Sequence, residues 1–411
     1  MISKPILELL YEAAHIQRWN DHMRPSQGFT ELDKQAHKMI FAYVIARFEE
    51  DERKAAINWP RLIEGGIFEF LHRIVLTDIK PPIFHAMMKE SGEKLNRWVL
   101  AQLHDTLKDI EAGFLDKFEK YLLDPQYSAM EKKILKASHY LATNWESNIV
   151  YHLNQTLYGV EQIKEAIENE LEEHSDLAGV RNLSLVRKTH NFLDLVGQLR
   201  FQQRWTKSPR IPATSVMGHM LVVAILSYLC SVQVKACDSR VKNNFFAGLF
   251  HDLPEVLTRD IVSPVKRSVE GLEDLIKTIE NRQIAERILP LLPESWHYEL
   301  KYYIEDEFAS KVIVDNGVRK VSADELNAKY NDDRYSPLDG EVIKACDHLA
   351  AYMEAYLSVS HGVTSNHLQS VLKSLPKDYR GKKIATIDFG RVYESLDIKA
   401  DIPIKSSLAT N

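Results

Sequence analysis

Cysteine is scarce in this chain of 411 residues, which contains three: Cys230, Cys237 and Cys346. All three lie in or beside apolar helical patterns, and none forms a close Cys-x-x-Cys pair. This usage argues against a disulfide framework and favours a reducing compartment. We therefore expect a cytoplasmic location.

Long hydrophobic runs are also lacking. The most membrane-like run, residues 220–232, has 13 residues, whereas a membrane-spanning helix needs about 20. The first stretch, MISKPILELLYEAAH, carries Glu8 and Glu12 among its apolar residues, which predicts an amphipathic helix and not a secretory signal. We expect no membrane partner.

An excess of positive charge is absent, because 52 Lys and Arg residues face 58 Asp and Glu residues, for a net charge of -6. Nucleic-acid-binding domains are usually basic, so we expect no stable binding of nucleic acid. A small anionic substrate stays compatible with this balance, because local fields matter more than net charge.

Strand-like alternation is rare outside residues 310–321, where Asp315, Asn316 and Gly317 are expected to turn a hairpin. The remainder shows helical periodicity with short loops marked by Pro or Gly. Because a chain of this length usually forms two domains, we predict an all-α fold of two tandem helical bundles. The second bundle would carry an inserted segment, at about 305–338, that contains the hairpin.

The two predicted bundles resemble each other in sequence. A shift of 182 residues places residues 66–83 on residues 248–265 without a gap, with six identities among 18 positions. The same shift places His37 on His219. Coincidence between two apolar helical stretches is the alternative interpretation.

This repeat predicts the domain boundaries. Residues 1–178 form the first unit with a charged connector helix, residues 179–362 form the second unit, and residues 363–411 form a C-terminal extension.

One stretch, residues 251–266 (HDLPEVLTRDIVSPVK), is rich in candidate functional residues. His251 and Asp252 follow the apolar run NNFFAGLF, so both are expected to be buried. A buried ionised Asp is costly without a cation or a hydrogen-bonding partner, and a metal ion would satisfy it together with the imidazole. Alternatively, Asp252 caps the next helix, which Pro254 is suited to begin.

Two further residues have the same ambiguity. His219 follows candidate helix caps at Thr214 and Ser215 and opens an apolar helix, and Asp347 lies in the apolar pattern EVIKACDHLAAYMEAYL. Each is either a metal ligand or a satisfied core residue. Two imidazoles and two carboxylates would suit one divalent ion such as Mn, Co, Zn, Fe or Ni, and Mg less well.

These residues together resemble a known signature. His219, the His251–Asp252 doublet and Asp347 are similar to the His…His-Asp…Asp pattern of the HD-domain phosphohydrolase superfamily. Residues 251–266 closely resemble the bacterial 5'-deoxynucleotidase group, its YfbR-like branch. That group also has an Arg-Trp pair 15 residues before its first metal-binding His, where this chain has Arg204 and Trp205. The resemblance covers about residues 200–360.

The resemblance implies an all-α domain that binds one divalent ion and hydrolyses (deoxy)nucleoside 5'-monophosphates to nucleoside and phosphate. The implied metal ligands are His219, His251, Asp252 and Asp347. Glu255 and Asp260 match catalytic positions of the family. The implied substrate contacts are Arg204, Trp205, Thr258 and Lys266.

The superfamily signature alone does not fix the substrate. A dNTP triphosphohydrolase, a cyclic-nucleotide phosphodiesterase and a non-enzymatic nucleotide-binding regulatory protein are the alternatives. The expected partner is a small nucleotide, and a homodimer is left open.

The first unit departs from the signature. Glu69 and Phe70 replace the His-Asp doublet, Arg73 replaces Glu255, and His139 replaces Asp347. Phe70 cannot bind a metal and Arg73 would repel one, so we predict a degenerate HD-like repeat that packs against or regulates the second unit. A remnant metal site formed by His37, Glu69 and His139 is the alternative.

Overall fold

The computed structural model describes residues 2–19, 29–77, 79–259 and 269–396. Its N-terminal part consists mainly of helices. They are α1 (Lys4–Glu12), α2 (Glu31–Arg53), α3 (Trp59–Leu76), α4 (Pro81–Leu107), α5 (Phe114–Leu123), α6 (Ala129–Asn154), α7 (Val160–Glu172), α8 (Ala178–Leu185) and α9 (Arg187–Gly197).

The C-terminal part is also mainly helical. A 3₁₀ turn (Gln198–Phe201) precedes α10 (Val216–Gln233), α11 (Asp238–Phe250), α12 (Glu255–Thr258) and α13 (Leu272–Gln283). A π turn (Ile284–Ile288) and a 3₁₀ turn (Leu289–Leu291) precede α14 (Glu294–Ile304), β1 (Lys311–Val314), β2 (Gly317–Lys320) and α15 (Ala323–Lys329). A 3₁₀ turn (Asp333–Tyr335) leads to α16 (Gly340–Ser360), α17 (Asn366–Tyr379), β3 (Lys383–Ile384), β4 (Ile387–Asp388) and α18 (Phe389–Glu394). The all-α prediction is confirmed.

The predicted hairpin is present with a small correction. Strands β1 and β2 pair antiparallel, and Val314 lies opposite Gly317. Asp315 and Asn316 alone form the turn, and both have positive φ, as the commonest two-residue hairpin turns require. Gly317 was expected within the turn, but it is the first residue of β2.

Polar side chains fix the starts of the helices that matter most below. The Ser215 side chain accepts a hydrogen bond from the Gly218 amide at 2.9 Å, as predicted for a cap of α10. Thr30 caps α2 in the same way, by accepting from the Asp33 amide. Thr214, the other candidate cap, instead donates its hydroxyl to Glu354.

The two parts share one hydrophobic core among the described residues. Tyr43 of α2 packs on Phe246 and Phe250 of α11, with ring centroids 5.0 and 5.4 Å apart. At this core, α10 is apolar and long enough to cross a membrane by length and composition, yet 89% of it is buried inside the protein. The predicted domain boundaries stay a prediction.

Part of the predicted C-terminal extension is folded onto α16. The Tyr379 hydroxyl lies 2.9 Å from His348 Nδ1, and the ring of Tyr393 lies edge-on to Tyr352 at 5.0 Å. Residues 363–396 therefore form a docked layer of α17, β3, β4 and α18. Residues 397–411 lie outside the described residues.

Candidate metal centre and neighbouring pocket

A close helix crossing brings the two candidate histidines together. A Cβ added to Gly248 would lie 3.0 Å from Ala224 Cα, a tight contact, so glycine favours the close approach of α11 to α10 at this point. His219 lies in the first turn of α10, and His251 directly follows α11. Their ring centroids are 5.5 Å apart.

The two candidate carboxylates lie beside these rings. Asp347 Oδ1, from α16, is 2.9 Å from His219 Nε2 and 4.0 Å from His251 Nε2. Asp252 Oδ2 is 3.2 Å from His251 Nε2 and 4.0 Å from His219 Nε2. The structure thus brings all four predicted ligands together, although up to 128 residues separate them in sequence.

The spacing of these atoms fits one ion. Ligand atoms that each bind a metal at about 2.1 Å lie about 3 to 4 Å from one another, and the distances above fall in that range. His219, His251 and Asp347 form a group that could hold a metal ion, and Asp252 is outside this group although its carboxylate is 3.2 and 4.0 Å from the two imidazoles.

The orientation of His251 fits a ligand role as well. Its Nδ1 donates to the Gly248 carbonyl at 2.8 Å, and its buried Nε2 has no hydrogen-bond partner. Metal-binding histidines commonly donate their second ring nitrogen to a carbonyl in this way, which fixes the tautomer. The residues present therefore fit a divalent ion.

The site also carries an excess of negative charge. Burial alone would lower the pKa of His251, but Asp252 and Asp347 outweigh it and raise that pKa to about 9. Despite its burial, Asp252 has a pKa below its ordinary value because His251 and Arg204 stabilise the carboxylate. A site that stabilises positive charge this strongly favours a cation.

The predicted Arg-Trp pair, Arg204 and Trp205, lies beside the candidate metal centre. Arg204 Nη1 donates to Asp252 Oδ2 at 3.3 Å, and Arg204 Nε donates to Glu354 Oε2 at 3.4 Å. The indole N–H of Trp205 donates to the same Glu354 oxygen at 2.7 Å. Arg204 is therefore held at the edge of the candidate metal centre.

Glu354 is a site residue that the sequence analysis missed. It lies seven residues after Asp347, about two turns along the same face of α16, and it is buried. Arg210, which was also missed, lies with Nη1 3.7 Å from Glu354 Oε2. An acid within an otherwise apolar helix was the signal that could have identified Glu354.

Of the other four predicted site residues, the structure describes two, Glu255 and Thr258. Helix α11 ends at Phe250, just before His251. Glu255 begins the separate short helix α12, where it is buried. Thr258 donates weakly to the Pro254 carbonyl at 3.4 Å. Asp260 and Lys266 lie outside the described residues.

Comparison with known proteins identifies the domain that contains this site. Residues 196–375 match the family model described as HD domain. This part of the chain is an HD domain.

Named relatives agree with the family match at low identity. A 5'-deoxynucleotidase of Pasteurella multocida is 23% identical over 186 residues, which is 43% of this chain and 77% of that protein. One from Vibrio atlanticus is 27% identical over 129 residues, or 31% of this chain and 66% of the relative. One from Citrobacter koseri is 22% identical over 207 residues, or 50% and 89%. No solved structure matches the chain.

The HD domain and these relatives support a hydrolase. The alignment with the Vibrio protein covers just under two thirds of that relative. The substrate and the metal are therefore treated as proposals below.

A second Arg-Trp pair outside the HD domain adopts the same geometry. Arg18 Nε donates to Glu146 Oε2 at 2.9 Å, and the Trp19 indole N–H donates to the same oxygen at 2.8 Å. Trp19 and Trp205 both have positive φ, of 59° and 58°. The residues before the pairs also match, because Gln17 bridges to Thr30 as Gln203 bridges to Ser215.

Lys34 holds the position in this second arrangement that His219 holds in the HD domain. Each lies four residues after the cap of its helix, Thr30 for α2 and Ser215 for α10. The Lys34 ammonium donates to His139 Nδ1 at 2.5 Å, where His219 contacts Asp347.

The shift of 182 residues therefore paired the wrong residue, His37, with His219. His37 is buried against Trp145, with ring centroids 5.0 Å apart, and its Nε2 lies 3.1 Å from the Leu193 carbonyl oxygen. Within the described ranges, the residues proposed for a remnant metal site, His37, Glu69 and His139, do not form a group that could hold a metal.

The second arrangement is rich in positive charge, and we call it the cationic cluster. Its cations are Arg18, Lys34, Lys38, Arg73 and Arg200, and its carboxylates are Glu31, Glu69 and Glu146. Lys38 donates to Glu69 at 2.8 Å, and Glu69 also accepts from the Tyr121 hydroxyl at 2.6 Å.

Proposed function

We propose that the HD domain is a metal-dependent phosphohydrolase that converts (deoxy)nucleoside 5'-monophosphates to nucleoside and phosphate. One observation carries the proposal: two imidazoles and two carboxylates converge from α10, the end of α11 and α16, next to a buried arginine. His219, His251, Asp252 and Asp347 would hold one divalent ion.

The donor set determines which ions are suitable. Mixed imidazole and carboxylate ligands suit Mn, Co, Zn, Fe or Ni better than Mg. An ion in such a site supplies Lewis acidity for phosphoryl transfer.

The positive charge for the substrate comes from Arg204. Asp252 and Glu354 hold its guanidinium group, which is only 12% exposed. A fixed arginine stabilises the charge that develops on phosphoryl oxygens, and it costs no reorganisation during the reaction. Glu354 also binds Trp205, so this one carboxylate positions both residues of the pair.

Glu255 is our candidate for proton transfer. Its backbone amide donates to the Asp252 carbonyl at 3.0 Å, which keeps it next to the ligand doublet, and its charge acts on Arg204. A carboxyl group there would give a proton to the leaving 5'-oxygen or take one from the attacking water.

The substrate class rests on the relatives that are named 5'-deoxynucleotidases and on the Arg204–Trp205 pair. The first test is phosphate release from deoxynucleoside and ribonucleoside monophosphates, dATP and cyclic AMP, each with Mn, Co, Zn, Fe, Ni or Mg. We expect phosphate and nucleoside from the monophosphates, and loss of this activity in Asp252→Ala.

A matched control is His139→Ala, which alters the position that corresponds to Asp347 in the N-terminal part. It should leave turnover intact. Release of triphosphate from dATP, or opening of cyclic AMP in place of monophosphate hydrolysis, would assign a different HD-type hydrolase. No metal-dependent turnover of any of these compounds would refute the enzyme.

A further inference from the structure

We propose that the cationic cluster is a second nucleotide site, which binds the phosphoryl group of a nucleotide without hydrolysing it. The anionic nature of the ligand follows from the cluster itself. Its identity as a nucleotide rests on the proposed function of the HD domain.

The charge balance of the cluster is the first step. Five cations face three carboxylates, so positive charge is in excess. One further acid, Asp33, faces Arg200 from outside this set, so five cations face four acids and an excess of one positive charge is left when every group is ionised. A bound anion would offset the excess.

Two buried amines lie where an anion would be held. Lys34 and Lys38 are both fully buried and lie one turn apart on α2. Lys38 has Glu69 as a partner, whereas the described contact of Lys34 is the imidazole of His139. Burial, Lys34 and Lys38 lower the pKa of His139, which favours the neutral imidazole, so this ring gives Lys34 no counter-charge. Glu31 and Glu146 act on Lys34 electrostatically, but neither forms a described hydrogen bond with its ammonium. A phosphoryl group would give Lys34 a counter-charge that is also hydrogen-bonded to it.

The cluster is as accessible as the candidate metal centre. The side chains of Glu69 and Arg73 are 31% and 19% exposed, compared with 19% and 20% for Asp252 and Asp347. Arg18 is 10% exposed and Arg204 is 12% exposed. Charged groups of both sites therefore reach solvent to a similar extent.

The chemistry of the cluster opposes hydrolysis. In the sequence alignment Phe70 replaces Asp252 and Arg73 replaces Glu255, so a metal ligand and the candidate proton donor are both missing. Lys34 provides positive charge where His219 would bind an ion. The result is a pocket that binds a phosphoryl group and lacks the groups that would cleave it.

The Arg-Trp pair argues for a nucleotide over a simple anion. Arg18 and Trp19 donate to one glutamate oxygen as Arg204 and Trp205 do, and the two tryptophans share a positive φ. If that pair contacts nucleotide in the HD domain, its equivalent is positioned to contact the same class of ligand here.

Equilibrium dialysis of the full chain with dAMP tests the proposal. The dialysis is done with a chelator and with the Arg204→Ala variant, in which binding at the HD domain is weakened. We expect this variant still to bind dAMP. Adding Arg73→Gln or Lys34→Met to it should weaken that binding about tenfold or more, as expected for the loss of a charged hydrogen bond. Arg61→Gln, an exposed residue near the start of α3, is the control and should bind normally.

Each result decides the matter. Absence of dAMP binding to the Arg204→Ala chain, or binding that survives both substitutions in the cluster, overturns the site. If inorganic phosphate displaces bound dAMP as effectively as added dAMP does, the assignment of the ligand as a nucleotide is overturned. Thermal unfolding shows whether Lys34→Met is folded, and the milder Arg73→Gln tests the same site. Phosphate release tests the HD domain separately, so the two proposals can fail independently.

Discussion

The HD domain and the N-terminal part place the same kind of framework around opposite charges. In both regions a buried glutamate, Glu354 or Glu146, accepts hydrogen bonds from an arginine and a tryptophan that are adjacent in sequence. The groups near Glu354 are two histidines and two aspartates, which contact one another. The corresponding groups near Glu146 are Lys34 and His139.

The difference teaches which residues support the pocket and which set its chemistry. A buried glutamate with arginine partners is costly to break, because loss of one partner leaves an uncompensated charge. That requirement is equal in both regions. The centre differs, because Lys34 stands where the HD domain has His219 and His139 stands where it has Asp347. Under our proposal, this difference changes the preferred ligand from a cation to an anion.

The largest expected contrast is in metal content. Asp347→Ala should remove the bound ion and abolish phosphate release, with an effect beyond the roughly 10- to 100-fold that loss of a residue behind the ligands costs. Elemental analysis of the purified chain measures it.

The matched change His139→Ala should leave the metal content unchanged. A comparable loss of metal in both variants would mean that the two pockets share one chemistry, and the contrast between them would be wrong.

The second prediction separates rate from metal binding. Glu255→Gln should lower turnover by about 10²- to 10⁴-fold, the usual contribution of a positioned acid or base. Its metal content should stay at the wild-type value, because Glu255 is outside the predicted ligand set. If metal and rate fall together, Glu255 is a ligand or a structural residue and not the proton donor.

The third prediction concerns the shared framework. Glu354→Gln and Glu146→Gln each leave a buried arginine with reduced compensation, so each should lower the free energy of unfolding by about 3 kcal/mol. Urea unfolding measures this change. With the metal bound, Glu354→Gln should also lower turnover, whereas folded Glu146→Gln should not. Equal turnover in the two variants would remove the positioning role of Glu354.

Residues with local signals were predictable from the sequence. The Ser215 cap, the hairpin and the helical periodicity depend on neighbours along the chain, and the structure confirms them. The His251–Asp252 doublet carried its own signal. The local sequence left His219 and Asp347 as either ligands or core residues, and the family resemblance favoured the ligand interpretation.

Contacts that depend on packing between distant helices were not predictable. Glu354 and Arg210 form their contacts across more than 140 residues, and nothing in their immediate sequence identifies the partner. The correct equivalent of His219 was missed for a similar reason. Identity over residues 66–83 suggested one shift, whereas the helix caps Thr30 and Ser215 define another, and only the capping geometry pairs Lys34 with His219.

The smallest expected effect is that of Lys34→Met on stability. Burial and the nearby Arg18 hold the pKa of Lys34 well below its ordinary value, with Glu31 and Glu146 opposing them and Lys38 adding to them. An unfolded chain keeps the ordinary lysine pKa of about 10.4. Between the folded and unfolded pKa values the unfolded chain binds more protons, so Lys34 makes the wild-type protein more stable as the pH rises.

The Lys34→Met variant lacks both this pH dependence of stability and the buried amine. Because replacing a buried charge by an apolar side chain is often neutral or stabilising, we expect a change within about 1 kcal/mol near neutral pH. The advantage of the variant over wild type should then shrink as the pH rises toward 10, in unfolding experiments at several pH values. Lys54→Met changes an exposed lysine just after α2. Its free energy of unfolding should change with pH in parallel with that of the wild type. If Lys34→Met does so too, Lys34 is fully compensated in the folded protein, and the contrast in charge between the two pockets is smaller than the structure indicates.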